Sequence, residues 1–171
     1  MKQKNKPLRA PLPRTWFLSR GFKKVPPELI DGKVLWAHPS GYFVNAYGQK
    51  LQHTYSPSHR EGIKPYTHGV KYPYMRHFGP KDCHVLMAFT FHGPRPEGYE
   101  CDHINGVVTD YSAANLEWVT PAENRRRAKY IRFMRDCDFD PRIFTAADFH
   151  HWFSMPFDDF KSFFSHYANE S

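Results

Sequence analysis

The run Thr120-Pro121-Ala122-Glu123 constrains this chain more than any other four residues. A threonine hydroxyl accepts the amide hydrogen three residues on, and proline is preset for the first helical position, where its missing N–H costs nothing. A glutamate at the third position can reach back to the cap. The spacing therefore predicts a helix that starts here and runs to about residue 133. Ahead of it, Leu116 to Val119 reads as a strand, residues 104–114 as a polar loop, and residues 99–102 as another strand. Strand, loop, strand and capped helix make a small ββα unit. It carries Asp102 and His103 at the end of its first strand and Asn124 in the first turn of its helix.

The flanks are read against that unit. Residues 83–92, CHVLMAFTFH, are apolar enough for a buried helix or a strand; we read a helix, closed by the turn GPRPEG. From about Val34 the runs VLWAH, GYFVNAYGQKLQ and GVKYPYMRHFG, rich in Tyr, Val and Phe between Gly and Pro, predict short antiparallel strands. Residues 1–27 hold Pro7, Pro11, Pro13, Pro26 and Pro27 among basic residues and read as an extended arm anchored by Trp16, Phe17 and Phe22. Downstream, Thr145-Ala146-Ala147-Asp148 is a second cap opening an aromatic-rich helix that Pro156 should interrupt near Met155. Phe157, Phe160, Phe163, Phe164 and Tyr167 then recur at helical spacing and read as a packing face. The expectation is an α+β protein. Its parts are a basic arm (1–27), a β-rich scaffold or DNA-contact region (28–82), a ββα core (83–133) and a helical extension (134–171).

Charge is distributed unevenly. Residues 1–27 hold eight Lys/Arg and no acidic residue, residues 121–133 hold five against Glu123 alone, and residues 134–171 hold three against seven acidic groups. Two basic segments beside an acidic end suit a polyanion partner held through its phosphates, or simply a solvated charged face. An aromatic fraction of 17% is too much apolar material for a disordered chain, and no run of 18 apolar residues exists to form a spanning helix. Cys83, Cys101 and Cys137 are odd in number and far apart, which gives neither a disulfide framework nor a CxxC knuckle. A reducing, cytoplasmic setting is the expectation. The oligomeric state is open.

The segment CDHINGVVTDYSAANLEWVTPAENRRRAKY resembles the HNH endonucleases, particularly their phage and intron-encoded homing branch, through the DHING turn, the NLEWVT strand and the EN pair on the helix. The resemblance spans roughly residues 83–130. It departs from the family name at the third letter, which is Asn124 rather than His, as in the homing branch. Upstream, the usual His-Arg-Leu-Val run is replaced by His84-Val85-Leu86-Met87, without the arginine.

The resemblance implies a ββα-metal fold and hydrolysis of DNA phosphodiester bonds with a single divalent metal, Mg²⁺ or Mn²⁺. Asp102 and Asn124 would be its ligands, both hard oxygen donors. His103 would be the general base, a role suited to an imidazole. Asn115, the middle letter, would orient the loop or the histidine. Arg125, Arg126, Arg127 and Lys129 follow on the helix and fan over more than half its circumference, so one or two of them would clamp phosphate. Because neighbouring strand residues point to opposite faces, Asp102 and His103 converge only if the strand ends or twists between them. Two rivals remain: a ββα DNA-binding module that has lost cleavage, and a structural zinc domain on Cys83, Cys101, His103 and Cys137.

Overall fold

The computed structural model describes residues 10–55, 72–75 and 81–170. The first layer is a three-stranded antiparallel sheet of β1 (Lys23–Lys24), β2 (Trp36–His38) and β3 (Tyr42–Val44), preceded by the short helix α1 (Arg14–Leu18). Alternation of small and aromatic residues sets its register, with Ala37 opposite Phe43 and Trp36 opposite Val44. The described part of the basic arm is packed rather than extended: Phe17 and Phe22 are buried, and Phe17 stacks on Trp36 at 4.3 Å with their planes 2° apart. Burying two phenylalanines outweighs the proline-rich local preference that favoured an extended arm. Residues 1–9 lie outside the described residues.

A second sheet, β4 (Thr54–Tyr55), β5 (Pro73–Met75) and β6 (Lys81–Asp82), leads directly into helix α2 (Cys83–His92). The helical reading of 83–92 holds. Cys83, His84, Leu86, Met87 and Ala88 are all buried there, so the helix is covered around most of its girth, which is why it shows no amphipathic period. The rest of the GVKYPYMRHFG run falls mostly outside the described residues.

The hairpin of β7 (Glu100–His103) and β8 (Leu116–Val119) follows, then helix α3 (Pro121–Asp136), which starts and ends within a few residues of the predicted bounds. The Thr120 side chain accepts from the Glu123 amide at 3.2 Å. The return half of the box is absent, because the Glu123 carboxylate is taken by Arg126 and Arg127 instead. Helices α4 (Ala146–Ser154) and α5 (Phe157–Glu170) meet at Met155 and Pro156, where the break was expected. Thr145 and Asp148 close a full capping box at the start of α4.

Two main cores run across these segments. One core joins Val25, Leu35 and Phe43 of the first layer to Leu86 and Met87 of α2 and Leu116 of the hairpin. A second joins Tyr130, Ile131 and Met134 of α3 to Phe149, Trp152, Phe153, Phe160 and Phe164, with Ile104 from the loop after β7. The hairpin and α3 thus stand between two cores, each anchoring one side of the unit. In α5 Phe157, Phe160 and Phe164 join the second core, while Phe163 is 49% exposed.

Candidate active site

Strand periodicity dictates how the hairpin presents its polar residues. Glu100 and Asp102 face α3: the Asn124 amide donates to Glu100 Oε2 at 2.8 Å, and Arg127 Nη1 reaches Asp102 Oδ2 at 3.4 Å. Cys101 and His103 face α2: the Cys101 thiol lies 3.8 Å from the His84 carbonyl, and the His103 and His84 rings are 4.9 Å apart. The strand neither ends nor twists between Asp102 and His103. His103 pairs with Leu116, and the next amide, Ile104, donates to the Asn115 carbonyl at 2.9 Å. The ladder is stronger than the local turn signal of Ile104-Asn105-Gly106, so the two side chains keep to opposite faces of the hairpin.

His103 is 6% exposed and stands with His84 and Tyr72 in a three-ring cluster, its Nε2 enclosed without a hydrogen-bond partner among the described residues. Burial pushes its pKa down to about 4. Burial, and then the charge His103 would carry, push that of His84 to about 3. Both imidazoles are therefore neutral near pH 7, and burial makes each a weaker base than an exposed histidine.

The α3 face is charged. Arg127 Nη1 bonds Glu117 Oε2 at 2.7 Å and its Nε bonds Glu123 Oε1 at 2.7 Å, so one buried guanidinium is shared by three carboxylates, Asp102 included. Burial raises the pKa of Asp102 to about 6, with Arg127 opposing. Asp102 and Asn124 offer a carboxylate and an amide carbonyl from facing elements. Because the Asn124 nitrogen is engaged by Glu100, its carbonyl oxygen is the atom left to donate a lone pair. Among the described residues no group of three or more His, Cys, Asp or Glu is placed to hold a metal. The donor set is that of a hard cation that keeps water in most of its coordination sphere. The Cys83, Cys101, His103 and Cys137 set finds no support, because among the described residues no group of three or more His, Cys, Asp or Glu is placed to hold a metal ion.

Asn115 lies in the loop seam. Its Oδ1 accepts from the Asn105 amide at 3.0 Å, and its Nδ2 donates to Asn105 Oδ1 at 2.9 Å and to the Asp110 carbonyl at 2.8 Å. Asn105 donates in turn to Asp110 Oδ2 and accepts from the Val107 amide. The loop is also pressed onto α3: Gly106 has φ 66°, and a Cβ there would fall 2.5 Å from Ile131 Cγ2. Asn115 thus fixes the loop that leaves His103.

The basic run on α3 divides into two sets. Arg127 is buried among carboxylates, and Arg126, part-exposed, bonds Glu123 and the Phe153 carbonyl, so both guanidiniums are already engaged within the protein. Packing α3 against the C-terminal core brings Arg126 onto the Phe153 carbonyl and buries Arg127. Arg125 and Lys129 are exposed and, with Arg132, form an i, i+4, i+7 row that makes no ion pair among the described residues. Arg132 was missed because it lies beyond the contiguous run, although helical spacing places it on the same face. Glu100, Asn105 and Asp110 were also missed. The two-residue strand period pointed to Glu100, and the Asn-Gly turn pointed to Asn105.

Residues 81–126 match the family model described as HNH endonuclease, a span that takes in α2, the hairpin and the first turns of α3. No curated protein and no solved structure matches the chain. The ββα geometry and the family match fall on the same residues, and over residues 81–126 the chain carries a domain of the HNH endonuclease family.

Proposed function

We propose that the protein is a metal-dependent endonuclease that hydrolyses DNA phosphodiester bonds at the β7–β8–α3 unit, in the manner of the homing branch of the family. The observation that carries this reading is the HNH endonuclease match over residues 81–126, with Asp102 and Asn124 both on the side of the hairpin that meets α3. Asp102 and Asn124 would hold one Mg²⁺ or Mn²⁺, which when bound polarises the scissile phosphate and offsets charge on the departing 3′ oxygen. His103 accepts the proton of the attacking water. Asn115 holds the loop that sets the position of His103, and Arg125 and Lys129 bind phosphates flanking the scissile bond. A protein of this kind works where DNA is, so we place it in the cytoplasm of a bacterium or phage-infected cell.

The rival, a DNA-binding module without cleavage, predicts retained affinity and no strand scission. Incubation with supercoiled plasmid in Mg²⁺, in Mn²⁺ and in EDTA separates the two, since a single cut converts the substrate to nicked circles. Nicking in either metal and none in EDTA supports the enzyme. Plasmid and genomic DNA that stay intact in every lane while binding persists support the module.

A further inference from the structure

The family match and the roles above leave His84 unassigned, yet it is the residue packed against His103. Both rings are nearly enclosed, at 8% and 6% exposure, with centroids 4.9 Å apart and Tyr72 against both. Each has one enclosed nitrogen without a partner among the described residues, Nδ1 of His84 and Nε2 of His103. Buried polar atoms are rarely left unpaired, and two orphans on touching rings are best satisfied by each other. A hydrogen bond between the two rings would satisfy both atoms, one donating and the other accepting.

The chemistry of His103 decides which does which. With Nε2 enclosed, a base role needs the lone pair on the other nitrogen, Nδ1, so the hydrogen of the neutral ring must sit on Nε2. We propose that His84 Nδ1 accepts a hydrogen bond from His103 Nε2–H and so fixes His103 in the tautomer whose Nδ1 is free to take the proton of water. His84, with its own hydrogen on Nε2, is then a positioning residue. The proposal rests on the nuclease reading for its purpose, though not for its geometry.

Proton-detected ¹⁵N spectra of the histidine rings read the tautomer directly, with His103 assigned by its absence in His103→Asn. The wild type should show His103 as the Nε2–H form. In His84→Leu that form should lose its dominance, and plasmid nicking should fall about 10- to 100-fold at unchanged DNA affinity. His84→Asn, whose Oδ1 replaces the Nδ1 acceptor, should recover both, and it keeps the test informative if the leucine variant folds poorly. An Nδ1–H tautomer in the wild type, or a tautomer unchanged in His84→Leu, overturns the proposal. A tautomer that shifts as expected between wild type and His84→Leu, in a wild type that never nicks DNA, refutes the nuclease reading and leaves the hydrogen bond standing.

Discussion

Lowering the pH from 7.5 to 5 in the presence of EDTA should destabilise this protein, and the amount follows from three buried groups. His103 and His84 have folded pKa values near 4 and 3 against 6.5 when exposed. The unfolded chain therefore takes up protons that the folded one refuses. Their contribution is complete above pH 6.5 and is lost as the pH falls below it. At pH 5 the loss is about 2 kcal/mol for each ring. Asp102 works in the opposite sense: its folded pKa is raised to about 6 from 3.8, so ionisation costs stability at neutral pH and acid returns about 1 kcal/mol of it by pH 5. The sum is a net loss of about 3 kcal/mol, with a slope near one proton, or about 1.4 kcal/mol per pH unit, around pH 5.5. Urea titrations at fixed pH measure it. Replacing either histidine with a residue that does not titrate should remove about one proton from the slope and leave stability nearly flat across that interval. A wild-type stability that is constant or rises between pH 7.5 and 5 would refute the assignment of both rings as buried and neutral.

Other outcomes follow from the polar contacts. Arg127→Met should destabilise by about 3 kcal/mol in urea, since it leaves Asp102, Glu117 and Glu123 together without their shared cation. Arg125→Ala should leave stability within about 0.5 kcal/mol. It should weaken DNA binding and lower the salt slope by about one, and a full slope in that variant would remove Arg125 from the interface. Asn115→Ala should cost about 1–3 kcal/mol, through loss of its bonds to Asn105 and Asp110. It should also speed hydrogen exchange at the Asn105 and Val107 amides, and unchanged protection there would contradict the loop-fixing role.

The ββα unit was legible because its signals are local. Thr120 and Pro121 set the start of α3, and the alternation of residues 100–103 set the faces of β7 whatever the rest of the chain does. The break at Pro156 was legible for the same reason. Tertiary effects were not. Nothing in the spacing of Arg125, Arg126 and Arg127 shows which of them turns inward until the C-terminal aromatic core takes its place against α3. Trp36, distant in sequence, draws Phe17 out of the proline-rich arm. The pairing of His84 with His103 joins residues 19 positions apart on different elements, and neither local propensity nor motif spacing reports such a contact.

The central claim is that hydrolysis requires both His103 and the Asp102–Asn124 pair, which lie on opposite faces of one hairpin. Nicking of supercoiled plasmid in Mn²⁺ tests it most directly when wild type, His103→Ala and Asn124→Ala are compared at matched DNA occupancy, with binding measured in the same samples. We expect nicked circles from the wild type alone, with all three proteins binding DNA equally. Nicking by either variant at the wild-type rate would contradict the claim.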